Sequence, residues 1–204
     1  MSNNQYAESV FINCPFDKEY KNLFNAIIFA VKFCGFTPRS AREQDNSGDV
    51  RIDKIISILK ECKFGIHDIS RTELDKKTKL PRFNMPLELG LDLGTKKSGV
   101  DEYKNKQILI IDKEQYRYQS FISDIAGQDI KSHNNNEIDI ITCVREFLGN
   151  HTRKKIAHGS LIASNYAFFK SDLPSLCTAS EWTINELSFN EYISLVDFWI
   201  NFKK

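Results

Sequence analysis

The chain has 204 residues, of which 41% are hydrophobic and 27% are charged. These values predict an ordinary globular domain with a buried core and room for a small appendage, and they exclude a chain that is disordered along its length. Basic residues number 28 and acidic residues 27, which gives a formal net charge of +1. Proteins that bind nucleic acid directly usually carry a basic surface, so the charge balance argues against that class.

Cysteine and histidine usage argues against a structural metal or a disulfide framework. The five cysteines are scattered without a C-x-x-C pair, and the four histidines lack the spacing of a metal site. The polar start MSNNQYAES lacks the apolar segment of a signal peptide, and no run of about 18 apolar residues occurs. We therefore expect a reduced cytoplasmic protein with no membrane span and no required cofactor or metal.

The first part of the chain predicts a strand, a helix and a second strand. Residues 9–13 (SVFIN) have the composition of a short buried strand, and the turn CPFD follows. Four apolar residues then repeat at the i, i+3, i+4, i+7 spacing of a core-facing helix: Phe24, Ile27, Ile28 and Val31. Gly35 is a plausible stop for this helix, and FTPRSA predicts a weak second strand.

The middle of the chain repeats this alternation and adds a long loop. After the loop QDNSGD, a second helical stripe comprises Ile52, Ile55, Ile56 and Leu59. KFGIHDI (63–69) predicts the third strand. The polar stretch SRTELDKKTKLPRFN then forms a loop of about fifteen residues, and loops of that length in compact domains are uncommon and often functional.

The next elements complete an α/β pattern. MPLELGLDLG predicts a helix and KQILIID (106–112) a buried strand. Ser120 to Ala126 has helical character, DIKSH is a candidate fifth strand, and EIDIITCVREFLG (137–149) is an amphipathic helix. Residues 1–150 therefore predict an α/β domain with a flavodoxin-like parallel sheet of about five strands. Residues 151–204 carry aromatics at helical spacing, which predicts a helical extension packed on this domain or on a partner.

Candidate site residues come from the rule that ligands bind an open parallel sheet beyond the carboxyl ends of its strands. The rule selects four segments: Asn13-Cys14-Pro15-Phe16, Arg39-Ser40-Ala41-Arg42, Asp68-Ile69-Ser70-Arg71 and Asp112-Lys113. Glu88 is expected in the first turn of the helix after the long loop and should face the same crevice. Several charged groups and one aromatic ring would then converge on one rim.

Glu88 and Asp68 are the candidate catalytic groups. A helix dipole stabilises an ionised carboxylate, and an ionised carboxylate in a crevice can stabilise a sugar carbon while a base departs through an oxocarbenium-like transition state. Asp68 could orient a ribose hydroxyl or move protons. Purely structural roles remain open for these residues. Glu88 could serve only to stabilise the helix dipole, Asn84 could serve only to cap the helix, and Asp68 could be a turn residue.

Other polar residues also have two interpretations. Arg39 and Arg42 could hold a phosphate bidentately or decorate a solvated loop. Cys14 is a candidate nucleophile, although a buried thiol is the simpler role, and the ring of His67 should point away from the face that Asp68 occupies. No G-x-G-x-x-G follows the first strand and no Walker lysine is present, which argues against a Rossmann dehydrogenase or a P-loop NTPase.

The ordered motifs resemble one superfamily. The strand and turn VFI-x-x-PF, the strand that ends at Asp68, the long loop and N-x-P-x-ELG occur in the order found in nucleoside 2-deoxyribosyltransferases and bacterial TIR-like domains. The resemblance covers about residues 9–112. It implies that Glu88 of ELG is the nucleophile or catalytic acid, that Asp68 orients the sugar, and that the turn from Asn13 to Phe16 holds the base or nucleotide.

Two departures favour the TIR-like branch. The transferases carry an acidic residue where this chain has Arg82, and their first strand supplies an aromatic hydroxyl where this chain has Phe11 and Phe16. TIR-like enzymes, which cleave nicotinamide from NAD, need only the glutamate and a nucleotide cleft.

The resemblance implies hydrolysis of the N-glycosidic bond of a nucleotide, most plausibly NAD, with self-association as the activating event and a role in bacterial defence. Asp68 and Asn84 would position the ribose and Phe16 would pack on a base. Arg39 or Arg42 would hold phosphate, while Cys14, Pro15 and Ser70 line the crevice. The alternatives are a nucleotide-sensing module without turnover, with a partner protein docked on the C-terminal helices, and transfer between nucleosides.

Overall fold

The computed structural model describes residues 3–43, 46–74 and 78–203. Its strands are β1 (Ser9–Asn13), β2 (Thr37–Arg39), β3 (Phe64–Asp68), β4 (Gln107–Asp112) and β5 (Lys131–Ser132). Its helices are α1 (Asn3–Glu8), α2 (Lys21–Phe33), α3 (Arg51–Lys60), α4 (Asn84–Ser98), α5 (Asp101–Lys104), α6 (Glu137–Asn150), α7 (Gly159–Ala179) and α8 (Phe189–Lys203).

The five strands form one parallel sheet in the order β2-β1-β3-β4-β5. Phe11 is in register with Gly65, and Ile66 with Leu109. The predicted fold class, a flavodoxin-like α/β sheet flanked by helices, is therefore confirmed. The chain passes from β1 to β2 on one side and then crosses to β3 on the other side of β1. The topological switch point therefore lies between the carboxyl ends of β1 and β3.

Side chains alternate between the two faces of β3, as strand geometry requires. Phe64 and Ile66 belong to the core that α2 and α6 cover. His67 hydrogen-bonds to α4 on the opposite face, and Ile69 packs there with Leu89 of α4. Asp68 therefore projects toward α2 and α6, whereas α4, which carries Glu88, covers the other face.

The C-terminal helices pack on the α/β part. Phe29 of α2 lies 5.2 Å from Tyr166 and 5.3 Å from Phe169 on α7, and 5.9 Å from Trp199 on α8, measured between ring centroids. All four side chains belong to one hydrophobic cluster that also contains residues of β1 and β3. Helices α7 and α8 thus share the core of the sheet.

Local boundaries correct several predictions. Helix α1 is additional, and the expected helix over Ser120 to Ala126 is replaced by two short 3₁₀ turns, Arg117–Ser120 and Ser123–Ile125. Gly35 has a φ of 80° just after α2, the left-handed conformation that favours glycine at a helix end. Residues 44–45 of the loop QDNSGD and 75–77 of the long polar loop lie outside the described residues.

The start of α4 also differs from the prediction. Asn84 is the first helical residue rather than the cap, and Phe83 precedes it without a capping side-chain hydrogen bond. Glu88 consequently lies in the second turn, and the first turn contains no acidic residue. The dipole explanation for Glu88 is therefore weakened, because the effect falls off within the first turn.

Within the ranges that the structure describes, no helix combines the length and the apolar character needed to cross a membrane.

Candidate functional site at the carboxyl end of β1

Several of the predicted residues surround Cys14, immediately after β1. Burial raises the pKa of the Cys14 thiol well above its ordinary value, the carboxylates of Asp68 and Glu88 raise it further, and Arg42 opposes them. Asp68 ends β3 and Arg42 follows β2, the two strands that flank β1, and α4, which carries Glu88, contacts β1 and β3. Cys14 itself is fully buried, so its thiol is packed in the core and does not face a ligand.

Glu88 is the most unusual group in this region. The residue is 5% exposed, and among the described residues no hydrogen bond or ion pair reaches its carboxylate. Burial raises its pKa to about 7, against a smaller lowering by Arg51. A carboxyl group in this state changes its charge near neutral pH, which suits general acid, general base and nucleophilic roles.

Arg42 and Phe16 form the exposed wall of the site. The guanidinium of Arg42 lies over the Phe16 ring, 5.1 Å from its centroid, and the ring packs edge-on against Phe24 at 5.4 Å. Arg42 is exposed and has no ion-pair partner in the part of the chain that the structure describes. A cation stacked on a half-buried aromatic ring is free to bind an anionic group and to admit a planar base beside it.

Arg39 does not belong to this wall, which corrects its assignment as a phosphate ligand. Its Nε and Nη2 donate to Glu43 at 2.7 and 2.6 Å, and Nη2 also donates to Glu61 at 2.9 Å. The two carboxylates occupy the bidentate edge of the guanidinium and neutralise it. Arg39 thus joins β2 to the end of α3.

Asp68 is enclosed as well, which corrects its expected contact with a ribose. It is fully buried; its Oδ1 accepts from the Ser70 N–H at 2.8 Å, and its Oδ2 accepts from the Tyr20 hydroxyl. Nε2 of His133 lies 3.0 Å from the same Oδ2, at ion-pair distance but without hydrogen-bond alignment. Asp68 therefore ties the end of β3 to the start of α2 through Tyr20, and His133, which follows β5, lies against the same carboxylate.

Asn13 is likewise a linking residue. Its Nδ2 donates to Nδ1 of His67 at 3.0 Å and to the Met85 carbonyl at 2.9 Å, while its Oδ1 has no partner among the described residues. His67 is fully buried on the face opposite Asp68, as the strand alternation predicted. The remaining predicted residues differ in exposure: Pro15 and Ser70 are buried, and Asn84 is exposed at the first turn of α4.

A polar pocket of about 540 Å³ lies beside the site, on the α2 and α6 side of the sheet. Tyr20 and Ser70, both bonded to Asp68, line it together with Arg71, Lys113 and residues 135–138. Its cations are neutralised by nearby acids, since Arg71 pairs with Asp17 and Glu19 and Lys113 pairs with Glu73. Glu88 does not line this pocket, because α4 covers the opposite face.

Tyr20 and His133, which contact Asp68, were not predicted from the sequence as site residues. Tyr20 was hidden in the turn before α2, where nothing in its neighbours marks a functional hydroxyl. His133 ends the candidate strand DIKSH, so the strand-end rule would have selected it had it been extended to the weakest strand. Across the described residues, no cluster of histidine, cysteine and acidic side chains is arranged to hold a metal ion.

Comparison of the chain with protein-family models, with curated proteins and with solved structures gave no match. The functional conclusion therefore depends on the geometry of the site and on the motif resemblance.

Proposed function

We propose that the protein hydrolyses the N-glycosidic bond of a nucleotide, with NAD as the leading substrate and Glu88 as the acting carboxyl group. The observation that carries the proposal is the environment of Glu88: a buried carboxyl with no hydrogen-bond partner in the described chain, at the switch point where ligands of such sheets bind. Burying a polar group without a partner costs stability. Such a cost is expected at functional sites more than elsewhere.

The chemistry requires little besides this carboxylate. In NAD the ring nitrogen of nicotinamide is already cationic, so the C1′–N bond can break with its electron pair going to the ring, and nicotinamide leaves neutral without being protonated. Positive charge then develops at the ribose carbon, and an ionised Glu88 stabilises it. A water molecule attacks C1′ and loses its proton to the carboxylate, which yields ADP-ribose, nicotinamide and a released proton.

Other groups around the end of β1 supply the binding functions in this proposal. Arg42 pairs with a phosphate oxygen, and the Phe16 ring under it offers a stacking surface for a base. Asn84, which is exposed four residues before Glu88 on α4, would contact a ribose hydroxyl. Asp68 acts indirectly, since it holds Tyr20 and Ser70 in place instead of touching the sugar.

Self-association and a role in bacterial defence are part of the same proposal and derive from the motif resemblance. A cytoplasmic location is also proposed and derives from the scattered cysteines. One structural feature is compatible with association: Phe198 and Phe202 stack on each other on the surface of α8, 6.2 Å apart, and are 59% and 77% exposed. Large exposed aromatic side chains in pairs are typical of contact surfaces.

A nucleotide-binding module without turnover is the second candidate. The polar pocket beside the site favours it, because a ligand held among Tyr20, Ser70 and Lys113 would lie away from Glu88. The two functions differ in what Glu88 does, since an enzyme needs this carboxylate for turnover and a module that binds in the pocket does not.

The deciding experiment is incubation of the purified protein with NAD and with a panel of nucleosides and nucleotides, followed by chromatography of free bases. Wild type is compared with Glu88→Gln and with Glu146→Gln, a control on the exposed side of α6. The proposal expects base release by wild type and the control, and a loss with Glu88→Gln that leaves ligand affinity in place. Binding without release by any of the three proteins would establish the module instead.

Adding a free acceptor base to the same reaction separates hydrolysis from transfer. Hydrolysis yields the free sugar nucleotide whatever acceptor is present, whereas transfer yields the exchanged nucleoside.

A further inference from the structure

A buried chain of polar side chains runs from the start of β4 to the start of α4. Nζ of Lys106 donates to the carbonyls of Leu59 and Cys62 and lies 3.1 Å from Oδ1 of Asp92, at ion-pair distance but without hydrogen-bond alignment. Oδ2 of Asp92 lies 2.9 Å from Nε2 of His67. Nδ1 of His67 then meets Nδ2 of Asn13, which also donates to the carbonyl of Met85. All four side chains are at most 1% exposed.

The direction of each hydrogen bond in this chain can be assigned. The Asn13 amide must present Nδ2 to the Met85 carbonyl, because an oxygen there would repel it, and the same Nδ2 donates to Nδ1 of His67. His67 therefore carries its proton on Nε2 and donates it to Asp92. Although burial opposes ionisation, the hydrogen bond from His67 and the charge of Lys106 hold the pKa of Asp92 below its usual value.

The chain holds α4 at two points that flank Glu88. Four residues of α4 are buried, namely Met85, Glu88, Leu89 and Asp92. Met85 is fixed through its carbonyl and Asp92 through its carboxylate, and Glu88 lies between them on the same face of the helix, one turn from each. Neither a rotation nor a slide of α4 can move Glu88 without breaking one of these contacts.

Gly65 of β3 provides the space for this arrangement. A Cβ atom at this position would lie 2.2 Å from Oδ2 of Asp92 and 2.9 Å from Nε2 of His67. Both atoms belong to short side chains that are held from the other side, so neither can yield without moving the backbone of α4 or β3. Glycine here is required by the Asp92–His67 contact and not by a turn.

Stability alone does not account for such an arrangement. Buried ion pairs usually contribute no more than well-packed apolar side chains would, because both charges lose their hydration. What the hydrogen bonds of this chain supply is geometry, since the bonds from His67 to Asp92 and from Asn13 to the Met85 carbonyl are directional.

We infer that Asp92, held by His67 and Lys106 in the space left by Gly65, is a positioning residue that sets the orientation of α4 and with it the placement of Glu88. The expected effect on turnover rests on the proposed function. The claim that Asp92 sets the position of Glu88 does not. It assigns Gly65, His67 and Lys106 to the same task, and none of them touches the substrate.

The test compares Gly65→Ala with Gly90→Ala, the same chemical change on α4 at a position where an added Cβ meets no atom within 4 Å. The first readout is the titration of the Glu88 carboxyl by ¹³C NMR in glutamate-labelled protein, its signal identified by its absence in Glu88→Gln. We expect the Gly65→Ala midpoint to move from about 7 toward the ordinary carboxyl value of 4.5 as Glu88 leaves its buried position, and Gly90→Ala to titrate as wild type.

The second readout is turnover per folded molecule. For Gly65→Ala we expect kcat to fall by about 100-fold with KM unchanged, because a displacement of about 1 Å at the reacting group has an effect of this size. A purely structural role would lower the melting temperature and leave both the midpoint and kcat of the folded fraction as in wild type, and that result would overturn the inference. Should Gly65→Ala not fold, Asp92→Asn replaces it with the same two expected results, since it removes the charge that pairs with Lys106.

Failure of the proposed function is distinguishable from failure of this inference. If wild type releases no base, the NMR titration alone still decides whether Asp92 positions Glu88. If wild type is active and Gly65→Ala matches it in midpoint and kcat, the proposed function stands and the positioning role is wrong.

Discussion

At the scale of single residues, Glu88 shows which part of a site can be predicted from sequence. The ordered motifs selected the residue, since a glutamate after N-x-P on a helix that follows a long loop is a readable pattern. The burial of Glu88 and its lack of a hydrogen-bond partner could not be predicted from the sequence, because they depend on which groups of β1 and α3 approach α4 in space. The first-turn placement was wrong by one turn, since Asn84 is helical and not a cap.

The raised pKa of Glu88 makes the stability of the protein depend on pH in a defined direction. With a pKa of about 7 in the folded state against an ordinary 4.5, the folded protein binds more protons than the unfolded chain across this window. The contribution of Glu88 is therefore fully present below about pH 4.5 and is lost as the pH rises to about 7. Glu88→Gln removes this dependence.

We predict that the free energy of unfolding of wild type, relative to Glu88→Gln, falls between pH 5 and pH 8 by up to roughly 3 kcal/mol. Urea unfolding of both proteins at the two pH values measures it, with Glu146→Gln as control. An unchanged difference between the two pH values would contradict the raised pKa.

Arg39 and Arg42 lie three residues apart, and the structure gives them different tasks. Arg42→Ala should raise KM for NAD about tenfold or more through loss of a charge-assisted phosphate contact, with stability changed by less than about 0.5 kcal/mol. Arg39→Ala should leave KM unchanged and destabilise by about 1 to 3 kcal/mol, because it frees Glu43 and Glu61. Steady-state kinetics and urea unfolding of both variants check this, and an elevated KM for Arg39→Ala would restore its phosphate role.

At the scale of helices and strands, periodicity was a reliable guide where a segment has one apolar face. Strand β1 was predicted at its observed boundaries, and α2, α3, α6 and the helical extension were all expected. The errors fall on short or irregular pieces, namely α1, α5 and the 3₁₀ turns near residue 120, whereas the two-residue strand β5 lies inside the candidate strand DIKSH. Such pieces are defined by a few long-range contacts, which a local pattern does not contain.

The packing of α7 on the sheet gives a test at this scale. Phe169 is fully buried against Phe29 and Trp199, whereas its neighbour Phe168 is 64% exposed. We predict that Phe169→Ala costs about 3 to 5 kcal/mol of unfolding free energy and that Phe168→Ala changes it by less than about 0.5 kcal/mol. Chemical denaturation of the pair measures both, and equal effects would mean that α7 does not pack as described.

At the scale of the whole molecule, the alternation of strands and helices predicted a parallel sheet but not the order of its strands. The order decides that β1 and β3 are neighbours, and hence that Glu88 and Asp68 approach the same edge from opposite faces. The sequence placed both carboxylates on one rim, facing one ligand. Neighbouring side chains on β3 point to opposite faces of the sheet. Because His67 binds α4, which carries Glu88, Asp68 must point to the face away from Glu88.

The continuous core predicts that residues 1–150 do not form a stable protein alone. Removal of α7 and α8 uncovers the faces of α2 and α6 that they cover, including Phe29. We expect the fragment to bind a hydrophobic dye and to lose the cooperative unfolding transition of the full chain. A fragment that unfolds cooperatively at the midpoint of the full chain would show that the C-terminal helices are an independent appendage.

The most direct test of the central claim is the rate at which nicotinamide is released from NAD by wild type and by Glu88→Gln, at equal concentrations of folded protein and at pH 8. We predict release by wild type and a loss of about 1,000-fold or more in the variant, since the carboxylate that stabilises the developing charge is gone. Equal rates in the two proteins, or no release by either, would contradict the claim that Glu88 is catalytic.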